Sequence, residues 1–253
     1  MSIKNVVLVG AGGNLGSTIL CSLLSSSDNF NVSVISRASS GFLPPTGIQL
    51  YKTDYSHESL VTAFKGKDAV VSAIEMIATM EQTKLIDAAI EAGVRKFIPA
   101  NFGKRGCSLN AAAPQREEGS HHLFGKREDQ ISWTAIENGP FFDWGLERNA
   151  FGFDIPSSTA TLYTPGHHKV DFSATTIATV SLAVARCLQS RYAAQTHNKD
   201  LYIRSFTVSQ DEVLASIERA TGKHWARKEL DLDSAVKEAN TRMARGTLVG
   251  LLR

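Results

Sequence analysis

The stretch Val6-Val7-Leu8-Val9-Gly10-Ala11-Gly12-Gly13-Asn14-Leu15-Gly16 decides the fold. Four apolar residues read as a short buried strand, glycines at 10, 13 and 16 turn the chain, and Leu15, Ile19, Leu23 and Leu24 recur beyond them at helical spacing. A backbone without side chains lets a pyrophosphate approach the amides, and a helix N-terminus supplies partial positive charge. A tight structural turn is the alternative. Strand, loop, helix and second strand in that order favour a dinucleotide site, to which Gly10, Gly12, Gly13, Asn14, Leu15 and Gly16 contribute.

Working outward, residues 3–9, 32–36, 48–53, 69–74 and 96–100 are brief apolar runs bounded by turn or charged residues. They alternate with helical patterns, so they read as five buried strands of a doubly wound parallel α/β sheet. Thr79 and Gln82 form a capping-box pattern ahead of Leu85, Ile86, Ala89 and Ile90, with Gly93 as the stop. Residues 101–116 read as a long loop, followed by a helix and a strand at 133–137. The aromatic segment Asn138-Gly139-Pro140-Phe141-Phe142-Asp143-Trp144 reads either as a pocket wall or as a packed turn. A helix over 176–188, a strand over 201–204 and a helix opened by the Ser209/Glu212 capping box complete the chain. Residues 1–140 are therefore expected to form the nucleotide domain, completed by a strand near 201–204. Residues 141–253 are expected to form a smaller substrate lobe.

The second strand ends at Arg37-Ala38-Ser39-Ser40. An acid here would take the ribose hydroxyls of NAD, whereas a guanidinium, with Ser39 and Ser40 as neutral donors, suits the 2′-phosphate of NADP(H). A solvated surface arginine is the bland alternative.

Composition narrows the partners. Lys+Arg 27 against Asp+Glu 25 leaves a net +2, without a run of five like charges, so neither nucleic acid nor an anionic membrane is an expected partner. Cys21, Cys107 and Cys187 are three in number, widely separated and outside any CxxC, which disfavours a disulfide framework or a thiolate metal site. The apolar run at 6–9 is too short for a signal-peptide core, and no stretch approaches a membrane span. A cytoplasmic enzyme acting on a small molecule is expected.

The Gly10/Gly13/Gly16 loop, Arg37, the run from Ala88 through Glu91-Ala92-Gly93-Val94-Arg95-Lys96-Phe97-Ile98-Pro99, Asn101-Phe102-Gly103, Trp133-Thr134-Ala135-Ile136 and Phe141-Phe142-Asp143-Trp144-Gly145-Leu146 together carry a resemblance. The chain resembles the NmrA-like and isoflavone-reductase-like branch of atypical short-chain dehydrogenases, especially its fungal secondary-metabolism members. The resemblance implies a Rossmann-type NADP(H)-binding domain, a smaller C-terminal lobe shortened here, and reduction of aromatic, phenolic or conjugated metabolites. It also leaves room for non-redox isomerases, dehydratases or cyclases and for NADP-sensing regulators. Asn101, Phe102, Phe141, Phe142 and Trp144 are the implied substrate contacts.

The proton donor departs from the family. None of the five tyrosines has a lysine four residues on, so the Tyr-x-x-x-Lys pair of ordinary short-chain dehydrogenases is missing. The lysine that isoflavone-reductase-like members carry about twelve residues before the position of Ile131 falls here on Gly119. Lys126 lies seven residues further on, roughly 10 Å along a helix. His121 and His122 are nearer, and an imidazole exchanges protons near neutrality. Two solvated histidines on an exposed helix are the alternative. Cys107 is read as inert, Lys104-Arg105 as a solvated turn, and His167 and His168 as hairpin residues rather than ligands.

Overall fold

The computed structural model describes residues 2–74, 79–103, 121–164 and 171–231, together with residues 234, 235, 237 and 241. Its first half runs β1 (Asn5–Val9), α1 (Asn14–Leu24), β2 (Asn31–Arg37), β3 (Gln49–Thr53), α2 (His57–Phe64), β4 (Ala69–Ser72), α3 (Thr79–Glu91), β5 (Lys96–Ile98) and α4 (His121–Phe124). It continues through β6 (Ser132–Glu137), α5 (Phe142–Glu147), β7 (Phe153–Asp154), β8 (Thr159–Thr164), β9 (Asp171–Ala174) and α6 (Ile177–Cys187). The last elements are β10 (Lys199–Tyr202), β11 (Phe206–Ser209), α7 (Gln210–Thr221) and β12 (Ala226–Asp231). These elements fall into two compact units, one of Met1–Phe102, Arg116–Glu137 and Ala178–Ile203, the other of Gly103–Gln115, Asn138–Ile177 and Arg204–Arg253.

The first unit holds a seven-stranded sheet in the order β10-β6-β5-β4-β1-β2-β3, with every pair parallel. This is the Rossmann-type doubly wound arrangement, whose strand order reverses between β1 and β4. The side-chain period of two explains why the central strands β1 and β4 are apolar on both faces. Val7, Val9, Val70, Phe97 and Trp133 enter one core layer, with residues of α2, α3 and α4. Val6, Leu8, Val71, Ile98 and Ile136 enter the other, with residues of α1 and α6.

Several boundaries differ from the sequence expectation, for identifiable reasons. β5 ends at Ile98 instead of running to residue 100, because Pro99 has no N–H to donate to the ladder. Thr79 lies inside α3 instead of capping it, and the buried Gln82 turns to the sheet, where its Oε1 accepts the Ala100 N–H at 2.7 Å. Gly93 does stop α3, with φ +77°. The Ser209/Glu212 capping box opens α7 with both reciprocal bonds formed.

The second unit contains the antiparallel pair β11–β9 and a three-stranded sheet, β12-β8-β7. Phe153, Ala160, Leu162, Val213, Leu214 and Trp225 form its core. Gln210 braces it, donating to the Phe151 and Thr161 carbonyls at 2.8 and 3.0 Å and accepting the Tyr163 N–H at 2.8 Å.

Lys96 is buried at the start of β5, where its Nζ donates to the Thr196 carbonyl at 3.2 Å and to Thr196 Oγ1 at 2.9 Å. Burial holds its amine down at about 8, against an ordinary 10.5, and pushes the neighbouring Cys187 thiol up to about 11 from 9.0. Between pH 8 and 10.5 the unfolded chain binds a proton at residue 96 that the folded chain has released, so stability rises with pH there. Cys187 acts in the opposite sense between pH 9 and 11, which leaves pH 8 to 9 as the window for Lys96. Urea unfolding should show a gain of about 1 kcal/mol across that unit in the wild type and none in Lys96→Met. A gain that persists in the variant contradicts the assignment.

Candidate active site

The glycine loop leaves β1 at the point where the strand order reverses. Gly10 has φ +87°, and a Cβ there would lie 2.6 Å from the Ala73 carbonyl oxygen. A Cβ on Gly16 would lie 2.1 Å from the Gly10 oxygen, closer than any packing permits. Both glycines are thus demanded by the protein's own backbone. Gly13 is different: its Cβ would meet only the Gly10 oxygen, at an ordinary 3.6 Å, and its φ of −83° suits any residue. Gly12, Gly13 and Asn14 are exposed, Leu15 is partly buried and Gly16 is buried.

α1 begins with Gly13 as its N-cap, without a side-chain cap bond and without an acid in its first turn. The orphan N–H groups and the positive dipole end at that terminus therefore have no compensating side chain. An open backbone cradle and an uncompensated helix start fit a dinucleotide pyrophosphate.

Arg37 is the exposed last residue of β2. The chain turns immediately after it: the Ala38 N–H donates to the Thr53 carbonyl at 2.9 Å and the Ser40 N–H to the Arg37 carbonyl at 3.0 Å. Ser39 is exposed. Ser40 Oγ accepts the Phe42 N–H at 3.2 Å, which leaves its own proton free to be donated. The Phe42 ring lies 3.0 Å from where a Gly12 Cβ would stand, so this turn and the glycine loop share one wall.

Sequence reasoning overlooked two neighbours of the turn. Lys52 Nζ donates to the Ser40 carbonyl from β3. Tyr55 is half-buried with φ +64°; burial raises its phenol above the ordinary value, the Arg37 charge opposes this and Glu81 reinforces it. A left-handed backbone at a bulky residue is rare, and residue type carries no signal for it.

Beyond β5, Asn101 is buried and Phe102 is partly buried against the second core layer. Residues 104–120 lie outside the described residues, and with them Lys104, Arg105, Cys107 and Gly119. His167 and His168 do as well. The backbone places His121 and His122 in α4, which is described over His121–Phe124, while Lys126 falls in the 3-10 turn Gly125–Arg127. The side chains of these three residues also lie outside the description.

α4 stops at Phe124 because Gly125 adopts φ +49°. Its end is fixed by buried Leu123 and Phe124, the latter stacked on Trp133 at 5.1 Å, and by Arg127, whose Nε and Nη2 bond the Asp87 carboxylate at 2.5 and 3.2 Å. Lys126 therefore does not continue the α-helix on which a two-turn shift was reckoned.

In the second unit, the aromatic segment is held by Thr175. The Phe142 N–H donates to the Thr175 carbonyl at 3.0 Å, the Thr175 N–H to Pro140 at 3.0 Å and Thr175 Oγ1 to Asn138 at 2.5 Å. Phe142 stacks on Phe151 at 5.7 Å and meets Phe206 edge-on at 4.7 Å, so this ring is committed to packing. Phe141 and Trp144 are half-buried, with the Arg148 guanidinium 4.7 Å over the Trp144 ring. Asp143 accepts the Trp144 N–H at 3.1 Å and the Ile177 N–H at 3.0 Å, so it caps local backbone. Among the described residues no cluster of three or more His, Cys, Asp or Glu is placed to hold a metal, and no helix is long and apolar enough to cross a membrane.

Fold and loop together define a doubly wound dinucleotide-binding protein. Residues 2–126 match the NmrA-like family, and the chain belongs to that family. It is 37% identical over 259 residues to the oxidoreductase aprR of Aspergillus flavus, an alignment covering 99% of this chain and 85% of the relative. Among solved structures it superposes on an isoflavone reductase with a TM-score of 0.75 at 24% identity, covering 94% of this chain and 82% of the other. It likewise matches AtPrR2 holding NADP+ and (+)-pinoresinol, with a TM-score of 0.72 at 22% identity over 99% of this chain and 90% of the other.

Proposed function

We propose that this chain is an NADPH-dependent reductase of a small aromatic, phenolic or conjugated metabolite. The observation that carries the reading is Arg37, an exposed guanidinium at the end of β2, in a turn that shares a wall with the glycine loop. The Aspergillus flavus relative is an oxidoreductase, and the structural neighbour bound to pinoresinol holds NADP+, which supports both the redox class and the aromatic substrate class.

The residues divide the work by chemistry. The amides of residues 10–16 and the start of α1 bind the pyrophosphate, while Arg37, Ser39 and Ser40 bind the 2′-phosphate. NADPH, when bound, supplies a hydride. His121 or His122 hands a proton to the substrate, with Lys126 as the competing donor. Phe141 and Trp144, the half-buried aromatics of the second unit, are the proposed substrate contacts, while Phe142 is taken up by packing on Phe151 and Phe206.

Lys126 lies outside α4, and Gly119 occupies the family's lysine position. This departure favours, as a second reading, proton chemistry without net redox change: isomerisation, dehydration or cyclisation by a histidine on the same fold.

Calorimetric titration tests the nucleotide assignment. Arg37→Ala should weaken NADPH by ~1.5 to 3 kcal/mol, roughly ten- to hundredfold, and leave NADH affinity nearly unchanged. Equal losses for the two nucleotides, or a wild-type preference for NADH, would sink it.

A further inference from the structure

We propose that Arg148 is a specificity residue for the substrate: its guanidinium takes the carboxylate of an aromatic or conjugated acid whose ring lies against Phe141 and Trp144. This rests on the reading of those two rings as substrate contacts and deepens it, narrowing the aromatic, phenolic or conjugated class to acids.

The placement follows from the period of α5. Phe142 and Leu146 pack on the buried residues of the second unit, and a Cβ on Gly145 between them would lie 2.5 Å from the Phe151 ring. This close contact holds the helix against rolling. Phe141, Trp144 and Arg148, spaced three and four residues apart, therefore share a different side of it. The Arg148 guanidinium lies over the Trp144 ring at 4.7 Å, as that spacing requires. The backbone beyond it is fixed as well. The Asn149 N–H donates to the Leu146 carbonyl at 3.2 Å and the Ala150 N–H to the Gly145 carbonyl at 2.8 Å, across a left-handed Asn149 with φ +57°.

Charge supplies the second argument. Arg148 is exposed, and among the described residues it makes neither an ion pair nor a hydrogen bond through its side chain. The acids nearest in sequence, Asp143 and Glu147, follow a third line along the helix, four residues apart. Asp143 is committed to the Trp144 and Ile177 amides, and Glu147 is exposed. A guanidinium stacked on a ring uses its face alone. Its five N–H donors stay in the plane, in a fork that matches the two oxygens of a carboxylate. The ring also shields one face of the cation from water, which strengthens a pair formed at its edge. One guanidinium calls for one negative charge: at neutral pH a carboxyl carries it, whereas a phenol, with an ordinary pKa of about 10, does not.

The experiment uses the full chain with saturating NADP+ and two probes, 4-hydroxycinnamate and its methyl ester, which share the ring and conjugated chain and differ in charge. By calorimetry the wild type should bind the carboxylate about tenfold more tightly than the ester, a preference that shrinks as salt is added. Arg148→Gln should weaken the carboxylate about tenfold and leave the ester unchanged, with an unaltered thermal midpoint. Arg148→Lys, which keeps the charge without the fork, should retain part of the preference. A wild type that binds the two probes alike, favours the ester or binds neither overturns the proposal. Equal losses for both probes in Arg148→Gln overturn it too, since Arg148 would then only steady the Trp144 ring. The reductase reading survives each of these results if the wild type oxidises NADPH with a neutral acceptor. Failure of that reading has a different signature: NADPH left unoxidised with every acceptor while the carboxylate preference persists.

Discussion

Gly13→Val is expected to leave the chain folded and to abolish nucleotide binding. The backbone at residue 13 is extended, with φ −83° and ψ 167°, so valine meets no conformational obstacle. Its Cβ would sit at van der Waals distance, 3.6 Å, from the Gly10 oxygen. Replacing glycine by an apolar residue at a helix N-cap costs about 1 kcal/mol, within the margin of a stable domain. The same methyl groups project where a pyrophosphate must reach the amides, so affinity should fall by about a hundredfold or more. Gly16→Val provides the contrast, because its Cβ at 2.1 Å from the Gly10 oxygen can be relieved only by moving the β1–α1 turn. That variant should lose several kcal/mol of stability, on the order of other overpacked buried sites. Thermal unfolding and calorimetry on the pair separate the two kinds of glycine. Normal affinity in folded Gly13→Val would remove the phosphate-cradle reading.

The second large effect concerns the proton. If His121 or His122 is the donor, its replacement by Phe should lower turnover by ~10² to 10⁴, with nucleotide affinity unchanged, because general acid catalysis contributes about that much. Lys126→Met is the competing variant. Gly125 ends α4 and puts Lys126 into a 3-10 turn, so we expect the lysine variant to retain activity. A silent Lys126→Met beside two active histidine variants would show that the family lysine has moved to residue 126. The pH profile gives an independent criterion. An imidazole of ordinary pKa, about 6.5, makes activity fall as pH rises through neutrality, whereas an ammonium keeps its proton to higher pH.

Much of the fold was legible because a parallel sheet covered on both faces needs short, wholly apolar strands, and these stand out between helical patterns. Val6 to Val9, Ala69 to Val71 and Lys96 to Ile98 could be read one strand at a time. The glycine loop was legible as a motif, but not the division of labour within it. Gly10 and Gly16 are required by contacts with Ala73 and with each other, and only coordinates reveal that Gly13 is free of such demands.

What escaped the sequence depends on contacts between distant segments. Thr79 and Gln82 match a capping box, yet Gln82 serves the Ala100 amide, a partner eighteen residues away that no local pattern names. Phe142 stood equally well in a pocket wall or a packed turn until Phe151 and Phe206 were found against it. The bond from Lys52 Nζ to the Ser40 carbonyl likewise joins segments twelve residues apart and depends on how β3 lies beside β2. Gly125 did carry a readable signal, since a glycine directly after a helical pattern is a common stop. Given its due weight, it would have shortened the helix and set Lys126 apart from the histidines.

The central claim is hydride transfer to a conjugated substrate, and isotope tracing tests it most directly. The full chain would be incubated with NADPH deuterated at the transferable position of the nicotinamide and a panel of conjugated acceptors whose reduction leaves the hydride on carbon, with nucleotide oxidation followed beside product mass. The account predicts one deuterium in the reduced product for each NADPH consumed. Product formed without NADPH oxidation, or NADPH consumed with no label in the product, would contradict it.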